Sequence, residues 1–267
     1  QLNLYKIIIN IVEKIPINIH PKTEAHQQLM DLYPPELANK FLPAWYKKQK
    51  IYRKDEIPQG KDVKNCPAIQ DTLTSGIIIP SWSDILIEKF AADGKWEWQA
   101  TVGLSYAYRA NEDWILHQPE SQFKGLEKEK FKLNLVKGYG ALKLACPYWF
   151  KTPPGYGIEF TDPFYHHRRN IKLLPGRVES DKWHETNFPF EFYQDVDDED
   201  STQIIIRAGE PLMMLTPYKI EQRVELIKHG FDIEFHTEQL KNSQILASVT
   251  SDWNRYKQKH NELHTEE

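Results

Sequence analysis

The sequence predicts a mainly β protein, a β-clip or jelly-roll-like antiparallel sandwich with short N-terminal helices and a C-terminal helix. Residues 153–218 carry most of that expectation. Four short segments there, at 153–160, 174–181, 187–192 and 204–212, place apolar residues in alternation or in runs, each bounded by Pro or Gly. A second observation is Asp93-Gly94, which joins Ile85-Leu86-Ile87-Glu88-Lys89-Phe90 to Trp96-Glu97-Trp98-Gln99-Ala100 as a hairpin turn does, because both turn positions tolerate positive φ. The third is spacing: short strands this close together, with Gly/Pro turns, pair antiparallel rather than through βαβ units.

In chain order, residues 1–20 alternate as one or two strands broken at Pro16 and paired with something distant. Thr23-Glu24 with Leu29, Leu32 and Tyr33 predicts a short helix that ends before Pro34-Pro35. Residues 36–41 predict another, stopped by Pro43, with Trp45 and Tyr46 packed behind it. Residues 47–64 are rich in Lys and sparse in apolar side chains, which suits an exposed loop or, in a sharper reading, a phosphate-binding strip. Residues 66–76 read as a helical turn or two closed by Gly76, followed by strands at 77–79 and 84–88. Apolar pieces at 133–136, 141–144 and 149–150 lead into the central stretch, and the acidic run 195–200 reads as a solvated hairpin loop. Residues 220–227 fit a strand and a short helix equally. Phe231, Ile233 and Phe235 alternate with Asp232 and Glu234 as a strand does, and residues 238–257 fit an amphipathic helix that braces the core. These pieces divide the chain into an N-terminal part packed on the core (1–64), a β core (65–235) and a C-terminal helix with a frayed tail (236–267).

A formal charge of -4 gives no reason to expect binding of nucleic acid by the protein as a whole, although a local basic patch is compatible with it. Cys66 and Cys146 fit neither a CxxC nor a Cys/His metal spacing, so free buried thiols in a reducing compartment are expected. No apolar run reaches the roughly 18–20 residues that span a bilayer, and residues 7–12 lack the features of a signal peptide. The expectation is a soluble, cytoplasmic protein, virion-associated if phage-encoded, with no membrane contact, that forms a homo-oligomer or meets a protein partner.

His166-His167-Arg168-Arg169 is the densest group of titratable donors. Adjacent histidines on a strand point to opposite faces, so a metal site would take one of His166 and His167 with a distant partner such as His184, Glu185 or Asp162; Fe(II) or Mg²⁺ is the ion for it. Surface histidines and arginines on a loop are the plainer account. Tyr156 and Trp183 offer aromatic rings, and Arg168 and Arg169 forked cations, as ligand-binding groups. No nucleophile elbow, phosphate-cradling loop or dinucleotide fingerprint is present.

The order Pro153-Pro154-Gly155-Tyr156, then Gly176-Arg177-Val178-Glu179-Ser180-Asp181, then Asn187-Phe188, then Ala208-Gly209-Glu210-Pro211-Leu212-Met213-Met214-Leu215 resembles the β-clip core of the trimeric dUTPase and dCTP deaminase superfamily. The resemblance implies that residues 176–181 bind deoxyribose and position water, with Glu179 at the catalytic Asp position and Asp181 as a second acid, and that Met214 stands where the family has Gln. Two departures count against pyrophosphatase activity: residues 162–169 lack the Arg-Ser-Gly phosphate motif, and no Gly-rich C-terminal arm follows. The whole chain also resembles a family of bacterial and phage proteins without assigned activity, which share phrases similar to Lys151-Thr152-Pro153-Pro154-Gly155-Tyr156 and Asn187-Phe188-Pro189-Phe190. Three functions remain open: a non-catalytic binding or assembly protein, a cupin-like non-haem iron oxygenase, and a dUTPase-like nucleotide hydrolase.

Overall fold

A computed structural model describes residues 14–49, 63–92, 95–102, 115–116, 140–166, 171–192 and 203–249. The strand expected at 7–12, the apolar piece at 133–136 and the acidic run 195–200 lie outside the described residues.

β1 (Asn18–Pro21) opens the described chain. α1 (Glu24–Leu32) follows, capped where the Thr23 hydroxyl accepts the His26 N–H at 3.2 Å, and it ends before the two prolines. β2 (Glu36–Leu37) is short, and α2 (Ala44–Lys48) begins after Pro43. α3 (Pro67–Thr74) starts with Pro at its first position, where the missing N–H costs nothing. Gly76 then turns the chain at φ +82°, with the carbonyl of Leu215 so close that a Cβ would collide with it. There follow β3 (Ile77–Pro80), β4 (Ile85–Ala92), β5 (Lys95–Val102), β6 (Ile115–Leu116), β7 (Gly140–Lys151), β8 (Tyr156–Thr161), β9 (Ile171–Leu173), β10 (Gly176–Val178), β11 (Glu185–Phe192), β12 (Gln203–Ile206), β13 (Pro211–Lys219) and α3's successor α4 (Ile233–Val249).

The strands form a mainly antiparallel sandwich. One sheet has the order β1-β7-β11-β9 with β6 also on β7, the second β10-β8-β13-β3-β2, and the third β12-β4-β5. As expected for an opening strand, β1 finds a distant partner, with Asn18 opposite Lys151. The expected pairing of the two runs on either side of Asp93-Gly94 is also borne out, since β4 and β5 pair from Ile85 opposite Val102 to Ala92 opposite Lys95, while Asp93 and Gly94 themselves lie outside the described residues.

The core lies between the sheets. Period-two alternation sends Leu144, Cys146, Tyr148 and Phe150 inward from β7 and Phe188 and Phe190 inward from β11. Phe188 meets Phe160 of the second sheet edge to face, centroids 5.3 Å apart at 89°. Four consecutive residues of β13, Leu212 to Leu215, are buried because the strand is central: Met213 and Leu215 belong to the main core, while Met214 joins Ile78 and Ala38 in a smaller cluster on the other face. On β8, Gly157 leaves room for the Tyr218 ring, which a Cβ would approach to 2.7 Å.

Several expectations are corrected. Residues 36–41 form a two-residue strand on β3 and a 3-10 turn instead of a helix, because the Glu36 and Leu37 backbone pairs with Ile78 and Ile77 and the Ala38 N–H bonds the Gly76 carbonyl at 3.1 Å. The pieces at 141–144 and 149–150 are one strand, β7. Residues 220–227 are neither strand nor helix. Phe231, Ile233 and Phe235 do not form a strand: the Asp232 carboxylate accepts the N–H groups of Glu234 at 2.9 Å and Phe235 at 3.1 Å and starts α4 there. The described side chains of α4, residues 233–241, are exposed, so this part of the helix does not brace the core. No helix among the described residues is long and apolar enough to cross a membrane.

Candidate functional site

At one corner of the sandwich the β7–β8 turn meets the β10–β11 turn, and this contact gathers Tyr156, Glu179, Asp181, Trp183, His184 and Glu185. Its centre is a hydroxyl pair. Thr152 Oγ1 and Ser180 Oγ lie 2.8 Å apart, and Thr152 Oγ1 also donates to the Tyr156 carbonyl at 2.5 Å. Both residues are buried, and each hydroxyl removes the other's need for water. Neither stood out in the sequence; the signal available was only a Ser between two acids and a Thr before Pro-Pro-Gly.

The carboxylates around this pair differ. Asp181 Oδ2 accepts the Gly155 N–H at 2.9 Å, which holds the turn in which Gly155 sits at φ +80°, while Oδ1 is buried without a protein partner. Glu179 is open to solvent and pairs with Lys182, Oε2 to Nζ 3.2 Å. That hydrogen bond and the charges of Glu179 and then Asp181 raise the pKa of the Lys182 ammonium. The Glu179 carbonyl accepts the N–H of both Lys182 and Trp183, so the chain turns tightly and leaves the Trp183 indole 64% exposed. His184 Nδ1 stands 3.1 Å from the Ser180 carbonyl, a contact that requires the proton on Nδ1. Glu185, at the start of β11, bonds Lys22 Nζ at 3.0 Å. It lies opposite Trp149, which is in turn opposite His20, so an exposed His–Trp–Glu row crosses β1, β7 and β11. The corner therefore offers a stacking surface and paired charges; its most buried acid is engaged in holding a turn.

His166 lies elsewhere, in the turn after β8, and His167, Arg168 and Arg169 lie outside the described residues. That turn is tied to α2: Trp45 Nε1–H donates to the Tyr165 carbonyl at 2.7 Å. Lys47 and Lys48, from one end of the basic stretch 47–64, thus stand on the element that meets the 163–166 turn, while Lys64, from its other end, lies in the 3-10 turn 63–65 and donates to the Lys47 carbonyl at 3.4 Å. Among the described residues no three His, Cys, Asp or Glu side chains converge to hold a metal ion. Both cysteines are free, Cys146 buried and Cys66 half-buried. Burial pushes the Cys146 thiol up to about 12 and raises the Tyr148 phenol as well, which makes both inert at neutral pH.

No family model matches the chain, and no curated protein matches it. Among solved structures it is similar to a mutant dUTPase of Staphylococcus bacteriophage 80alpha, at 8% identity and a TM-score of 0.34 over 81% of this chain and 98% of that one. It is also similar to a mutant dUTPase of phage phi11 of Staphylococcus aureus, at 9% identity and a TM-score of 0.33 over 81% and 99% of the two chains. Likeness at this level carries no argument for what this chain does.

Proposed function

We propose that the chain is a non-catalytic assembly protein, a β body from which the segment after β13 reaches a second copy of the same chain. One observation carries this reading. Val224, Leu226, Ile227, Phe231, Ile233, Phe235 and Leu240 are exposed by 93%, 77%, 62%, 84%, 62%, 61% and 53%. At roughly 150–200 Å² for each large side chain these residues present on the order of 900 Å², about what one partner buries in a standard-size interface. A run of this kind in a protein that stays alone is an aggregation hazard, whereas in an assembly it is the contact. The charges between the apolar residues favour self-association over a strongly acidic or basic partner. Glu221, Arg223, Glu225 and Lys228 alternate in sign, so two such segments are complementary to one another.

Sedimentation equilibrium tests the reading. The full chain is expected to associate at about 10 µM, and Leu226→Glu with Phe231→Glu to yield a monomer whose β body melts at an unchanged temperature. A full chain that stays monomeric at about 100 µM removes the reading. So does a strong thermal shift with Fe²⁺, Mg²⁺ or a deoxynucleotide, which at a hundred times the dissociation constant adds about 2.7 kcal/mol and would return attention to Glu179, Asp181, His166 and His184.

A further inference from the structure

A second surface combines rings and cations. Trp45 of α2 holds the 163–166 turn not only by its hydrogen bond to the Tyr165 carbonyl but by ring contact, centroids 6.3 Å apart at 69°. Its other side meets Tyr46 edge-on at 5.7 Å. The Lys64 ammonium lies 5.6 Å from the Tyr46 ring centroid and bonds the Lys47 carbonyl at 3.4 Å. Lys47 and Lys48 are exposed in the single turn that carries Trp45. Across the contact, Phe164 and Tyr165 are 41% and 38% exposed. Tyr165 sits at φ +61°, the one non-glycine residue with positive φ among those described. A backbone conformation unfavourable for a side-chain-bearing residue is thus retained where it keeps an aromatic ring at the surface.

Lysines in the last turn of a helix also suit the helix dipole, and exposed lysines are ordinary. Neither fact accounts for an exposed Tyr165 ring held against Trp45 of the same short helix, with Phe164 exposed next to it in the chain. Asp162, the residue before this turn, has its Oδ1 engaged by the Leu173 N–H at 3.1 Å. Cations that neutralise phosphates, set next to aromatic faces that accept unstacked bases, are what a single strand needs, and a duplex has no base faces to offer. We propose that α2 and the 163–166 turn form a binding surface for single-stranded nucleic acid, with bases stacked on Phe164 and Tyr165 and phosphates held by Lys47, Lys48 and Lys64. The formal charge of -4 for the whole chain makes this a local patch and binding through it strongly dependent on salt.

The test is fluorescence anisotropy of the full chain with labelled oligo-dT, oligo-U and a duplex, each of about twenty nucleotides, between about 50 and 200 mM salt. Single strands bind several-fold more tightly than duplex, and comparison of oligo-dT with oligo-U identifies the preferred sugar. Lys47→Glu with Lys48→Glu weakens binding tenfold or more and makes the dependence of log K on log salt shallower by about 1.4. Phe164→Leu weakens binding several-fold at unchanged salt dependence, because it removes the ring and keeps the bulk. Lys172→Glu, an exposed charge on β9, leaves binding as it was. Absence of binding at about 50 mM salt, equal affinity for duplex, or equal loss with Lys172→Glu overturns the proposal.

Discussion

Residues 144–150 and residues 224–240 are both rich in large apolar side chains, yet they meet opposite fates. Leu144, Cys146, Tyr148 and Phe150 are 3%, 1%, 0% and 0% exposed, whereas every large apolar residue of the second segment is more than half exposed. Hydrophobicity by itself does not decide burial. β7 has neighbours on both sides that take its N–H and C=O groups, β1 and β6 on one and β11 on the other, and those pairings orient alternate side chains into one core. Residues 221–231 pair with no described strand, so no described neighbour directs their side chains inward. Among the described residues the second segment has no strand partner in the sandwich, and the proposed contact with another copy rests on that.

The largest effects test that contrast directly. Phe188→Ala removes a ring packed on Phe150 and Phe160 and should cost about 3–5 kcal/mol in urea unfolding. Phe231→Ala should change the stability of the monomer by less than about 0.5 kcal/mol. Similar costs at the two positions would mean that the segment packs on the body. Next in size is Gly157→Ala, whose Cβ would lie 2.5 Å from the Val178 carbonyl and 2.7 Å from the Tyr218 ring; a loss of about 1–3 kcal/mol is expected, and an unchanged melting temperature would show that the second sheet yields more easily than the first.

Tyr148→Phe acts in the other direction. The phenol oxygen is buried without a protein partner, so its removal should stabilise by about 1 kcal/mol. It also bears on alkaline unfolding. The Cys146 thiol titrates near 9.0 when free and near 12 in the fold, so above pH 9 the unfolded chain releases a proton that the folded chain keeps. Stability from this group is complete below that pH and is lost as pH rises towards 12; Tyr148, raised from 10.0, acts with the same sign at the upper end. Urea midpoints measured across this range should fall less steeply in Cys146→Ala, and an identical slope would mean that the thiol is reached by water. The smallest expected effect is Glu179→Gln. Its pair with Lys182 is solvent-exposed and should leave the urea midpoint unmoved, while a clear loss would show that the corner is tighter than the body's exposed edges.

Much of the fold could be read locally. The β4–β5 pairing is announced by the Asp93-Gly94 dipeptide in the sequence between the two strands, α1 by Thr23 and the prolines after it, and the close of α3 by Gly76, because each signal acts within a few residues. The strand read at 231–235 failed for the same reason. Three apolar residues in alternation fit either period over so short a window, and the deciding group was one carboxylate, Asp232, able to cap a helix. The corner at 152–156 and 179–185 was half legible. Its acids and Trp183 stood out, but the Thr152–Ser180 pair that joins the two turns did not, since a buried hydroxyl looks like any other until its partner is known.

What the sequence by itself determined is the class of the protein and its punctuation: alternating apolar residues, Pro and Gly at the turns, and caps that begin and end short helices. Only the tertiary structure decided which distant pieces touch. Trp45 meets Tyr165 and Thr152 meets Ser180 across 120 and 28 positions, contacts that no local pattern encodes. It also decided that the apolar residues after β13 remain outside. The physical reason is the same in each case. Periodicity records which face of an element is apolar, while burial depends on whether another element supplies both the matching surface and the backbone partners.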